Sequence, residues 1–204
     1  MLFLHRLLPI NINHSNKAIK ILILSDTLFY SGMALSEVVF GVFVVSSIKG
    51  ATVVDLGIGH AIFMVGVLLT EPFISKIYDS ALDITTSYYG FILGNLFKSI
   101  FRFGFIFLNS VTLFYIFYFL LGIVHSIEYP SFIKLFTKHM DKGLESSEWG
   151  IKDSFISLGK VITFFVSGII AVKLGYGYLF ALSGLIMLVS GVFLPLVYRK
   201  DFIS

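Results

Sequence analysis

Nine ionisable side chains stand inside stretches that are otherwise apolar: Asp26, Glu37, His60, Glu71, Lys98, Arg102, His125, Glu128 and Lys160. A charge held at the centre of a bilayer costs about 2.5–3.5 kcal/mol on insertion scales, so such groups usually pair or face a wet cavity. A carboxylate withdrawn from water can load and release a proton in the physiological range, the chemistry that proton coupling needs. The spacing collects these groups on shared faces. Asp26 and Glu37 are eleven residues apart, close to three helical turns, on a stripe with Tyr30 and Met33. His60 and Glu71 repeat that interval. Tyr118, His125 and Glu128 share one side of their segment, as do Asp153, Ser157, Lys160 and Ser167 of theirs. Lys98 and Arg102 sit four apart on a further segment.

The elements that must position them are membrane helices. Of 204 residues, 57% are hydrophobic and 13% charged, with 23 Phe, whereas a soluble domain carries roughly a quarter of charged residues. A bilayer core needs about 20 mainly apolar residues per helix. Six stretches qualify, running roughly over 19–47, 54–75, 84–108, 111–136, 151–173 and 176–198. They predict an all-α membrane protein with a six-helix domain over 18–200 behind an N-terminal tail over 1–17. The tail does not read as a signal peptide, because Pro9 interrupts its short apolar run and no small-residue cleavage site follows. Lys and Arg concentrate on the side of the N-terminus, leaving Lys49 and Lys173 opposite. By the positive-inside rule both termini are expected in the cytoplasm, in a multi-pass protein of the cell membrane. The Asn13-His14-Ser15 sequon would then face the wrong compartment for glycosylation.

Depth along these helices suggests partners. At about 1.5 Å per residue, Glu37 and Lys98 lie at similar distances from the outer ends of their helices. Asp26, Glu128 and Lys160 lie at similar distances from the inner ends. A Glu37–Lys98 pair and an inner cluster of Asp26, His125, Glu128 and Lys160 are therefore expected, and Asp26, Glu37, His125, Glu128 and Lys160 are the candidates for substrate binding and proton coupling. Each has a structural alternative. A Glu37–Lys98 pair would equally brace two helices, Arg102 would snorkel to the outer interface, and Glu71 and His60 would be solvated near opposite rims. His125-x-x-Glu128 supplies two ligands, too few for a metal site. Gly159, Gly168, Gly184 and Gly191 read as close helix contacts.

Particular motifs carry a resemblance. The second helix ends Pro72-Phe-Ile-Ser75-Lys-Ile-Tyr-Asp79, and the fourth reads Tyr118-Phe-Leu-Leu-Gly122 with Pro130 eight residues on. The first resembles the P-x-x-G-x-L-A-D stretch of the major facilitator superfamily, with Ser75 at the Gly position. The second is similar to the R-x-x-x-G that the superfamily follows with Pro, with Tyr118 at the Arg position. The basic residues that usually follow the motif Asp are missing. The resemblance implies one six-helix half of a twelve-helix transporter, built from two inverted three-helix repeats, with helix 3 peripheral and helices 1, 2, 4 and 5 around the cavity. Because the two halves of such transporters run parallel, a lone half can pair with a copy of itself, with helices 2 and 5 at the contact. The resemblance further places Asp79 against the N-terminus of the partner's helix 5, near Ile151–Ser154. Asp79 and Asp153 thereby become the candidate gating residues between bundles.

These readings point to a parallel homodimer that moves a small solute by alternating access, coupled to protons. The alternatives are a non-transporting scaffold or accessory subunit, or one half of a heterodimer. An enzyme is not expected: there is no G-x-S-x-G, no H-E-x-x-H and no cysteine. No TVGYG filter or Arg-rich sensor suggests a channel. No cofactor is expected, and a dispersed net charge of +3 gives nucleic acid nothing to bind.

Overall fold

The computed structural model describes residues 15–203, so most of the expected tail and Asn13 lie outside the described residues. Among the described residues, six helices are long and apolar enough to cross a bilayer: α1 Lys17–Ser47, α2 Val53–Ser80, α3 Thr85–Phe107, α4 Val111–His139, α5 Glu145–Leu174 and α6 Tyr176–Val197. A short α7, Arg199–Ile203, follows. Local chemistry sets the starts. The Asn16 side chain accepts the Ile19 amide at 3.0 Å ahead of α1, and the Ser110 hydroxyl accepts the Leu113 amide at 3.3 Å ahead of α4. Gly143 and Gly175, at φ of 84° and 85°, make the turns on either side of α5, a region open to glycine at no steric cost. Lys17 and Asp201 form an ion pair at 2.9 Å, so the start of α1 and α7 lie on one side of the bundle, called here the terminal side.

The main departure from expectation is the start of α5, six residues before Ile151. Glu145 and Glu148 occupy its first turn, where free amides and the helix dipole favour carboxylates. Glu145 accepts the Gly143 amide at 3.0 Å and Glu148 accepts the Asp141 amide at 3.1 Å, closing the turn onto the helix. Of the charged run from Lys138 to Lys152, between the fourth and fifth apolar stretches, the part from Glu145 on is therefore helix.

The packing follows the repeat. α2 lies on α4 as α5 lies on α1, α3 lies on α4 as α6 lies on α1, and α3 meets α6. Exchanging each helix with the one three places on leaves that pattern unchanged, as two inverted three-helix repeats require. The order across the bundle is α2, α4, α3, α6, α1, α5. The outermost pair is the least covered: 11% of the α2 span and 6% of the α5 span are buried, against 50% for α1. Apolar cores fill both ends of the bundle. Tyr88, Phe91, Phe132 and Phe136 pack on the terminal side, and Phe40, Phe43, Phe105, Phe114 and Phe180 pack on the far side.

Polar side chains hold the helices together where the backbone is incomplete. Pro195 has no N–H to offer the Gly191 carbonyl, four residues back. Asn95 of α3 donates to that carbonyl at 3.2 Å. In the π-helical turn at Val189–Phe193, the Ser190 carbonyl accepts from the Ser25 hydroxyl of α1 at 2.8 Å. Lipid offers no water to do this work, so the neighbouring helices supply the donors.

Glycine sets the approach of α2 to α4. A Cβ on Gly122 would stand 2.2 Å from the Phe63 carbonyl oxygen, and one on Gly66 would stand 2.7 Å from that of Phe119. Backbone atoms on both sides leave nothing flexible to yield. Gly122→Ala is expected to destabilise the protein by roughly 1–3 kcal/mol, read as a lowered thermal midpoint in detergent. An unchanged midpoint would show that the two helices are not held this close.

Candidate functional site

A cavity of about 420 Å³ lies in the far-side half of the bundle. Tyr30 and Glu37 of α1, His60 of α2, Lys98 and Arg102 of α3, and Tyr118 and His125 of α4 line it, with Met187 of α6. Both three-helix repeats therefore contribute. Among the described residues, α5 contributes nothing to its lining. Its walls are largely aromatic. The Tyr118 ring stacks with Phe40 at 5.8 Å and Phe105 at 6.4 Å, and His60 meets it edge-on at 5.3 Å.

Lys98 is the centre of the polar part. Its ammonium pairs with Glu128 of α4, whose side chain is 1% exposed, and stands 3.4 Å from His125 Nδ1. The His125 ring lies flat on Tyr129 at 5.2 Å and beside Phe63 at 5.6 Å. The Glu37–Lys98 pair expected from depth does not form. Depth was counted from the outer ends, but α1 is 31 residues long and the α3 span 23, so their far ends are not level. Counted from the terminal ends, Lys98 and Glu128 stand at about 20 Å and 17 Å, and Glu37 at about 30 Å.

The expected inner cluster divides for a similar reason. Asp26, 2% exposed, faces Lys152 of α5 at 3.8 Å rather than Lys160. Starting α5 at Glu145 raises Lys160 by almost two turns and brings Lys152 to the level of Asp26. Lys160 instead lies half-buried over the Tyr30 ring, 5.6 Å from its centroid. The Lys152 ammonium is 4.5 Å from the Trp149 ring, 5.1 Å from Phe132 and 3.3 Å from the exposed Asp153. One carboxylate oxygen of Asp26 and one of Glu148 are buried without a hydrogen bond. Lys152 and Glu148 were missed by the sequence reading. The interval Glu145-x-x-Glu148 directly after Gly143 was the signal of a helix start that could have found them.

Three other placements differ from expectation. Helix 3 is not peripheral, since it supplies Lys98 and Arg102 to the cavity. Arg102 lies over the Phe105 ring at 5.2 Å and lines the cavity instead of reaching for the interface. Asp79 is exposed at the end of α2, but the N-terminus expected to receive it is at Glu145, not near Ile151. That end of α2 is itself well held. Lys134 of α4 donates to the Tyr78 and Ala81 carbonyls, and the Tyr78 hydroxyl donates to the Ile127 carbonyl at 2.8 Å. A cation over the last carbonyls complements the helix dipole.

The bundle thus has a six-helix inverted-repeat architecture, an aromatic-walled cavity that holds ionisable side chains, and two buried ion pairs, Lys98–Glu128 and Lys152–Asp26. A family model described as Major Facilitator Superfamily matches residues 22–202, nearly the whole described chain. The chain belongs to the major facilitator superfamily. No curated protein and no solved structure matches it. As a superfamily member of six spans it has the fold of one transporter half, in a family whose members are transporters. Of its motif residues, Gly122 lies at the close contact with α2, and the Pro72–Asp79 stretch runs into the helix end held by Lys134. Tyr118, at the motif Arg position, puts an aromatic wall in the cavity.

Proposed function

We propose that two copies of this chain pair in parallel to form one secondary transporter, which moves a small solute by alternating access and draws on a proton gradient. The observation that carries the reading is the cavity: Glu37, Lys98 and Arg102 of the first repeat and His125 of the second line a space of about 420 Å³ inside a membrane bundle. Intramembrane charges of this kind mark substrate and ion pathways. One copy builds only one wall of a central pathway. The faces left uncovered belong to α2 and α5, which a two-fold axis along the membrane normal would bring against the same helices of a partner. Both termini would face the cytoplasm, as the distribution of Lys and Arg indicates.

Asp26 is the carboxylate best suited to carry the proton. It is buried, keeps an oxygen without a hydrogen bond, and faces a lysine at a loose 3.8 Å. Glu128 is more firmly engaged by Lys98 and serves to hold α3 to α4. The test is uptake of a panel of labelled small solutes into sealed liposomes holding the purified chain, with and without an imposed pH gradient. Accumulation that collapses with a protonophore supports the reading. Accumulation indifferent to the gradient removes proton coupling, and a failure of every solute to enter above protein-free liposomes favours a scaffold.

A further inference from the structure

Two charged groups in the cavity have no protein partner. Lys98 is engaged by Glu128 and His125, but Glu37 and Arg102 form no ion pair or hydrogen bond among the described residues. Arg102 lies over the face of Phe105 at 5.2 Å and lines the same space as Glu37 and Tyr118. Glu37 is exposed to the space beside it. Opposite charges on neighbouring helices inside a membrane bundle gain by pairing directly. Here they are held apart, on α1 and α3, across an aromatic-walled space.

We propose that the cavity takes a zwitterionic solute with an apolar body, its ammonium set against Glu37 and its carboxylate against the Arg102 fork. The proposal rests on the cavity being the transport site and narrows its solute to a chemical class. The Arg102 guanidinium presents a planar donor pair that matches a carboxylate in two parallel hydrogen bonds. Glu37 supplies the acceptor for an ammonium. Phe40, Phe105 and Tyr118 pack on one another along the wall and give the body an apolar surface to lie against. The lining is also neutral in sum, because Glu37 offsets Arg102 and Glu128 offsets Lys98. A solute bearing one charge would leave either Glu37 or Arg102 desolvated and unpaired as the cavity closed, and such a group forfeits its full desolvation cost. Apolar pockets for small ligands run from roughly 300 to 1,000 Å³. At about 420 Å³ this one suits a body of amino-acid to dipeptide size.

The test uses matched compounds on one skeleton: phenylalanine, its methyl ester, which is a cation, and its N-acetyl derivative, which is an anion, with the same three made from tryptophan. Binding to the purified full chain is followed by titration calorimetry and thermal shift. The free amino acid is expected to bind roughly tenfold more tightly, or better, than either singly charged form of its set. Glu37→Gln should erase its advantage over the N-acetyl form, and Arg102→Gln its advantage over the ester. The series on the unmodified protein stands alone should either variant fold poorly. A singly charged form that binds as tightly as the zwitterion would overturn the class while leaving a solute cavity in place. Binding by none of the six compounds would also overturn it, and the liposome uptake of the wider panel then judges the transport reading separately. Zwitterion binding with no uptake of any solute would uphold the class and remove transport.

Discussion

Asp26→Asn is expected to yield a folded protein that no longer accumulates solute against its gradient. The substitution keeps the size and removes the charge of a side chain that is 2% exposed. Lys152 would lose its buried counter-charge, but it keeps Asp153 at 3.3 Å and the faces of Trp149 and Phe132. The cost to stability is therefore expected to fall below the roughly 3–5 kcal/mol of a buried charge left without any partner. The cost to coupling is expected to be complete, with pH-driven uptake falling to the level of protein-free liposomes. Exchange of labelled for unlabelled solute needs no net proton movement and should survive. Thermal midpoint, driven uptake and exchange are measured on one preparation. A variant of normal stability with undiminished driven uptake would take Asp26 out of the mechanism.

Glu128→Gln should act on the fold itself. The Lys98 and Glu128 side chains are 11% and 1% exposed, so removing one charge strands the other between α3 and α4. Breaking a buried pair in this way costs roughly 3–5 kcal/mol, whereas replacing both partners with apolar groups of similar volume is often close to neutral. Lys98→Met combined with Glu128→Leu is thus expected to regain most of the stability lost by Glu128→Gln. The site leaves little slack for other substitutions, since a Cβ on Gly94 would stand 2.8 Å from the Glu128 Cα. Denaturation of Glu128→Gln, of Lys98→Met alone and of the double variant checks the prediction. A single variant as stable as the parent would mean that the pair is not buried as described.

Much of the fold was legible because lipid imposes length and composition. Six apolar stretches became six helices, most within a few residues of their expected bounds. The polar stripes on α1 and α4 were also legible, because eleven- and three-residue intervals keep side chains on one helical face. Partners were not. Matching depths by counting residues presumes that helices start level, and α5 started six residues early while α1 ran longer than the α3 span. Two turns of error were enough to replace Lys152 with Lys160 and to pair Lys98 with Glu37. The role of helix 3 was hidden for another reason. A family-level expectation of a peripheral helix says nothing about individual side chains such as Lys98 and Arg102, which here line the cavity.

The central claim is that one transporter is made from two copies, with α2 of one against α5 of the other. The chain has no cysteine, so single-cysteine variants can be co-expressed with different tags and oxidised in native membranes. Counted from the terminal ends of their helices, Asp79 of α2 is level with Ser146 of α5, and Val53 with Val172. Val53 and Val172 are 72% and 88% exposed in the isolated chain. A disulfide between two singly substituted chains cannot form within one molecule. The account predicts mixed dimers for Asp79→Cys with Ser146→Cys when the pathway is closed on the terminal side, and for Val53→Cys with Val172→Cys when it is closed on the far side. Neither pair cross-linking, although all four cysteines react with a soluble maleimide, would contradict it.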